Sequence, residues 1–167
     1  MKLKLFVATV LLFSFGFASK ATCQLSEKQK DQIKSEIKTV CDSIIAKYVG
    51  LDPKAGEQYY ADSPDWVMFN DDASEFDFQT FEKFWNESID SVKTIKWTTI
   101  SQKFIFITQN DVICAWVGKD ETLMKSGDKI TVSPHAYTMI FKKISGNWKV
   151  VYSHDSGTPA IEKAEKK

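Results

Sequence analysis

Residues 135–159 place the tightest constraint on how this chain can fold. Two runs rich in β-branched and aromatic residues, 135–144 and 147–159, flank Ser145-Gly146. A short glycine-containing step between such runs is a β-hairpin signature. With Ser145-Gly146 as a two-residue loop, Ile144 opposes Asn147 and Lys142 opposes Lys149. Phe141 then faces Val150, Met139 faces Tyr152, Tyr137 faces His154 and His135 faces Ser156. Side chains alternate along a strand. One face therefore carries Phe141, Val150, Met139, Tyr152, Tyr137, His154 and His135. The other carries Lys142, Lys149, Ile140, Val151, Thr138 and Ser153. The first face is apolar near the turn and polar-aromatic at its far end, which suits a sheet that closes a core at one end and lines a cavity at the other. The alternative is that Tyr137, Tyr152 and His154 are core residues with satisfied polar tips. A one-residue slip would exchange the faces of one strand.

The remaining chain divides into helices first and strands last. Ser26 and Gln29 form a capping-box pattern. Ile33, Ile37, Val40, Cys41, Ile44, Tyr48 and Val49 then recur at helical spacing, and Gly50 is a natural stop. Asp52-Pro53 opens a second, shorter helix that ends near Asp62. Residues 65–70 read as a strand, 71–73 as a turn and 74–78 as another strand. Thr80 caps a third helix with Phe81, Phe84, Trp85 and Ile89 on one face. Residues 92–108 form a long strand whose apolar phase slips at Thr99-Ile100, which predicts a bulge. A strand over 112–118 follows, then a polar turn or mobile loop to Asp128. Ile130 begins the strand that enters the hairpin, and 160–167 is a charged, frayed tail. This order predicts an α+β domain with an antiparallel sheet.

The N-terminus reads as an export signal. Met1-Lys2-Leu3-Lys4 precedes an apolar run over 5–17, too short to span a bilayer, and then small residues. Cleavage could fall after Ala18, Ala21 or Cys23. Lys20-Ala21-Thr22 makes a poor lipobox, so a lipid anchor through Cys23 is not expected. The division is 1–23 signal peptide, 24–160 single domain and 161–167 tail, with the product periplasmic or secreted and without a stable membrane span. The chain has 22 basic and 22 acidic residues, and every basic one is lysine. Removing Lys2, Lys4 and Lys20 leaves 19 against 22, a mildly acidic protein. Arginine is the usual fork for phosphate and base edges, so its absence argues against nucleic acid. Cys41 and Cys114 could pair outside the cytoplasm or stay as buried thiols. Their spacing resembles no metal site. No glycine-rich phosphate loop is present, and no cofactor is expected.

The stretch Gly146-Asn147-Trp148-Lys149-Val150-Val151-Tyr152-Ser153-His154-Asp155-Ser156-Gly157-Thr158-Pro159 resembles the ending of small SnoaL-like domains, Gly-x-Trp-x-(aliphatic)-x-His-x-His-x-Ser. It is also similar to the association domain of calcium/calmodulin-dependent kinase type II, down to the Ser-Gly-x-Pro. The element order resembles the nuclear transport factor two-like superfamily over residues 25–159. The resemblance implies a cone-shaped, curved antiparallel sheet wrapped on N-terminal helices around a pocket. It implies that Trp148, Val150, Tyr152 and His154 point inward, with Tyr152 in place of the family's first histidine. Enzymes of the superfamily include ketosteroid isomerases and scytalone dehydratase-like and polyketide cyclase-like proteins. Their acid–base residues come from varied positions, so the fold assigns none here.

Three functions follow as expectations. The first is a binding protein for a small apolar or aromatic organic molecule, held by Tyr59, Trp66, Trp116, His135, Tyr137, Tyr152 and His154. The second is an isomerase, dehydratase or cyclase using a cross-strand Tyr137–His154 acid–base pair, with Asp65 a further acid near the mouth. Asp155 alternates away from His154 and is a poor direct partner for it. The third is an oligomerisation module. A homodimer through the outer face of Thr138, Ile140, Val151 and Ser153 is compatible with all three.

Overall fold

The computed structural model describes residues 25–165. The expected signal peptide over 1–23, Cys23 included, lies outside the described residues. Helix α1 spans Glu27–Val49. Ser26 caps it: its hydroxyl accepts from the Gln29 amide while the Gln29 side chain returns to the Ser26 backbone. Ile33, Ile37, Cys41 and Ile44 fall on one stripe and are buried. Helix α2 (Pro53–Gly56) is capped by Asp52 and runs into one 3₁₀ turn, Glu57–Tyr59. Helix α3 (Phe78–Ile89) starts earlier than expected. Its cap is Asp77, whose carboxylate accepts from the Thr80 amide at 2.7 Å.

The strands are β1 (Val67–Phe69), β2 (Glu75–Phe76), β3 (Val92–Phe106), β4 (Asp111–Met124), β5 (Lys129–Ile144), β6 (Asn147–Ser156) and β7 (Pro159–Glu162). They form one curved sheet in the order β2-β1-β6-β5-β4-β3, with β7 on the far end of β5. The ladders are antiparallel apart from β1–β6, which is parallel because β1 arrives after the helices and not through a hairpin. The α+β architecture is as expected, with two corrections. Residues 119–124 are not a loop but continue β4, since Asp120, Thr122 and Leu123 find partners on both neighbouring strands. The tail is not frayed at 160–162, because β7 pairs with residues 129–132.

Besides a register shift at the start of β3, between Val92 and Thr94, three irregularities shape the sheet. The bulge expected near Thr99-Ile100 is present, and Ile100 projects into solvent. The β4–β5 register shifts between Gly118 and Asp120, opposite Ser133-Pro134, where proline offers no amide to the ladder. The third shift lies in the hairpin. Ser145 and Gly146 both have positive φ, 49° and 84°, as a two-residue turn of this hand requires. Pairing follows expectation as far as Phe141↔Val150. The next pair is Ile140↔Tyr152, so Val151 is an extra residue.

That extra residue exchanges the faces of β6 beyond it. Trp148 and Val150 point inward and are buried, as expected. Tyr152 and His154 do not; they lie on the outer face, with His154 exposed, and Ser153 and Asp155 turn inward. Tyr137 consequently opposes Asp155, and His154 opposes Thr138. The Tyr137–His154 pair is not formed, and Ser153 leaves the outer face.

The core lies between α1, α3 and the inner face, where Phe141, Ile37, Val112, Val150, Cys41 and Cys114 are fully buried. Cys41 and Cys114 are free thiols. The adjacent Cys114 thiol and burial both push the Cys41 thiol pKa up, which keeps it protonated. One carboxylate ties α1 to the hairpin: Glu36 Oε2 accepts from Trp148 Nε1 at 2.7 Å and Lys143 Nζ at 2.9 Å. The Lys143 and Trp148 donors hold the Glu36 carboxyl pKa down at about 2.

Candidate functional site

The strongly curved sheet and helices α1 and α3 border a cavity of about 590 Å³. The curvature has local causes. Besides the bulges, Gly118 lets the Trp97 ring lie directly on the strand, where an added Cβ would overlap the indole. Helix α1 contributes Ile44, Ile45 and Tyr48, the β1–β2 turn contributes Asp71 and Asp72, and the inner faces of β4, β5 and β6 form the floor.

One end of the cavity is polar, and the β6 bulge builds it. Ser153 and Asp155 arrive there from β6, His135 and Tyr137 from β5, and Asp120 from β4. Asp120 is 4% exposed and saturated on both oxygens: Tyr48 Oη donates to Oδ2 at 2.9 Å and Thr122 Oγ1 to Oδ1 at 2.9 Å. His135 Nε2 lies 3.8 Å from Asp155 Oδ2, an ion pair whenever the imidazole is protonated. The His135 and Tyr137 rings are 4.5 Å apart, and Trp97 closes over both. Burial, with the nearby Tyr48, Asp155 and Asp120, pushes the Tyr137 pKa well above 10, so its hydroxyl stays protonated at neutral pH. Burial and Asp120 do the same for Tyr48.

Three buried atoms at this end have no hydrogen-bond partner among the described residues: Ser153 Oγ, His135 Nδ1 and Asp155 Oδ1. Buried polar atoms are nearly always paired. The three lie together beside the open volume.

Of the residues expected to hold a ligand, Trp116, His135 and Tyr137 border the cavity. Tyr59 packs against the core and its neighbour Tyr60 faces the cavity. Trp66 is buried in an aromatic cluster with Tyr60, Phe78 and Phe81. Tyr152 packs on Phe69 outside. Asp65 is exposed away from the cavity. The sequence reasoning missed Tyr48, Asp120 and Ser153, and set Asp155 aside. Tyr48 sits in a helical stripe that reads as packing, and Asp120 in a polar run that reads as loop. Only its register could have distinguished Asp155.

A family model described as a SnoaL-like domain matches residues 37–161. The chain belongs to the SnoaL-like domain family. A search of curated protein sequences returns no match. Solved structures share the fold of this SnoaL-like domain at low identity. A scytalone dehydratase-like protein from Novosphingobium aromaticivorans superposes with TM-score 0.73 at 10% identity, covering 85% of this chain and 94% of that one. A nuclear transport factor 2-like superfamily protein from Salmonella enterica gives 0.68 at 15%, covering 77% and 92%. The association domain of CaMKII from C. elegans gives 0.62 at 17%, covering 78% and 99%. Among the described residues of the SnoaL-like domain, no helix is long and apolar enough to cross a membrane.

Proposed function

We propose that this SnoaL-like domain is an exported binding protein for a small, mainly apolar organic molecule carrying one polar group. The observation that carries the reading is the set of unpartnered atoms, Ser153 Oγ, His135 Nδ1 and Asp155 Oδ1, at one end of an aromatic-walled cavity. Small-molecule sites have this form: a few hundred cubic ångströms, mostly apolar, with a few convergent polar groups. Tyr48, Tyr60, Trp116 and Met139 contribute wall, and the polar atoms would orient the ligand. The N-terminal charge and hydropathy pattern supports export. Native mass spectrometry of protein purified from periplasm or culture fluid tests the reading. A reproducible bound mass that His135→Ala abolishes is the expected outcome. Its persistence in that variant would remove this cavity as the site.

The His135–Asp155 approach favours a second reading, proton transfer within the same cavity. A neutral imidazole near a carboxylate and a protonated phenol can act as base and acid in turn. The pair replaces Tyr137–His154 as the candidate, and dehydration or isomerisation is the chemistry it suits. Turnover that Asp155→Asn and His135→Gln each abolish would support this.

A homodimer fits either reading. Ile105, Ile113, Ile140, Tyr152 and Val67 lie in register across five adjacent strands on the outer face. A second copy of the sheet would cover such a row, and sedimentation velocity decides whether it does.

A further inference from the structure

The charge around the cavity has one sign. Asp71 and Asp72 stand at the exposed rim, and Asp120 and Asp155 at the buried end. Among the described residues no lysine borders the cavity, although lysine supplies all 22 basic side chains of the chain. His135 is the one group there able to carry positive charge, and it does so only when protonated. Between rim and buried end the walls include Phe76, Phe81, Phe84, Trp85 and Trp116.

These features act together on an entering charge. A carboxylate or phosphate would shed water and find aspartates without a cationic partner, and desolvating an unpaired anion is prohibitive. A cation meets the opposite balance. Aromatic faces attract it through their quadrupole, and the rim aspartates raise its local concentration. Asp120 supplies field only, because both oxygens are already engaged. Asp155 Oδ1 supplies a free acceptor, and so does Ser153 Oγ, on a residue 4% exposed that borders the cavity. His135 Nδ1 is a third in the tautomer that carries the ring proton on Nε2. An ammonium group carries three N–H donors and accepts nothing, which matches three unpartnered acceptors in number and polarity.

We propose that the cavity selects a lipophilic amine in its protonated form. The ammonium donates to Asp155 Oδ1, Ser153 Oγ and His135 Nδ1, and the aromatic or branched aliphatic frame packs on the indole and phenyl walls. This rests on the reading of the cavity as a ligand site and adds the ligand's charge to it.

Three probes sharing one frame separate the two ideas: 2-naphthylethylamine, 2-naphthylethanol and 2-naphthylacetate, titrated calorimetrically into the mature protein at neutral pH. The amine should bind about tenfold or more tighter than the alcohol, a typical value for a charge-assisted hydrogen bond, and the carboxylate weaker than both. Asp155→Asn should erase the amine's advantage over the alcohol. The Asp71→Asn/Asp72→Asn variant alters only exposed residues and keeps an Oδ1 acceptor for the Ser74 amide at position 72, so it tests rim attraction with the core untouched. It should weaken the amine by about twofold and reduce the salt dependence of its binding. Alcohol and amine binding equally, or carboxylate binding best, would overturn the charge selection and leave the ligand site standing. Failure of all three probes to bind would remove the site and the inference together.

Discussion

The two faces of the sheet distribute polarity in opposite ways. The outer face leaves Ile105 more than half exposed, in line with Ile113, Ile140, Tyr152 and Val67. The inner face buries Asp120, Ser153, His135 and Asp155. Exposed apolar rows and buried polar clusters are the informative departures from ordinary partitioning. On the outer face the proposed homodimer would cover the row. On the inner face the desolvation cost of the polar cluster is offset only in part, through Tyr48 and Thr122 on Asp120. The rest, Ser153 Oγ, His135 Nδ1 and Asp155 Oδ1, has no partner among the described residues. One extra residue, Val151, decides which β6 side chains belong to each face.

Deleting Val151 is therefore the harshest test of the comparison. The ladder would become regular, and Tyr152 and His154 would replace Ser153 and Asp155 inside. A loss of about 3 kcal/mol or more, in the range of severe core disruption, is expected in urea melts. A near-wild-type midpoint would mean that the bulge does not set the faces. Phe141→Ala, at a fully buried inner site, should cost about 3–5 kcal/mol by the same measurement. Ile140→Lys, one residue away on the outer face, should cost about 1 kcal/mol or less while converting the proposed dimer to monomer in sedimentation. An unchanged sedimentation coefficient would leave the apolar row without a covering partner.

Acid sharpens the comparison further, because Glu36 joins α1 to the inner end of the hairpin. Its folded-state pKa, about 2, lies below the ordinary 4.5. Its stabilisation is thus complete above about pH 4.5 and disappears as pH falls towards 2. Glu36→Gln should remove the part of the acid-denaturation slope that lies in that window and change little at neutral pH beyond a constant offset. An unaltered slope would show that Lys143 and Trp148 do not hold the carboxylate in solution. The smallest effect is reserved for His154→Ala, which should leave ligand affinity within about twofold, whereas His135→Ala should abolish it. Equal losses would contradict the assignment of His154 to the outer face.

The sequence by itself determined whatever depends on near neighbours. The Ser26–Gln29 cap, the stripe from Ile33 to Ile44, the Ser145-Gly146 turn, the slip at Thr99-Ile100 and the α+β order all rest on spacing of a few residues. Helical and strand periodicity carry that information directly. His135 and Tyr137 were legible as cavity residues because β5 keeps its alternation from the turn to His135, the extra residue of the hairpin lying on β6; Trp116 is the β4 partner of Tyr137. What only the tertiary structure decided is everything downstream of a bulge or across a ladder. Val150-Val151 gives no local sign of being two residues where one would pair, because either valine suits a strand. The choice falls to packing: with Val151 bulged, Ser153 and Asp155 meet Tyr137 and His135, and Tyr152 meets Phe69. Tyr48 and Asp120 lie 72 positions apart, and neither becomes a site residue until α1 is laid across β4. Alternation reports a strand's two faces, but a single extra residue reverses them, and which strand accepts it is settled by the whole sheet.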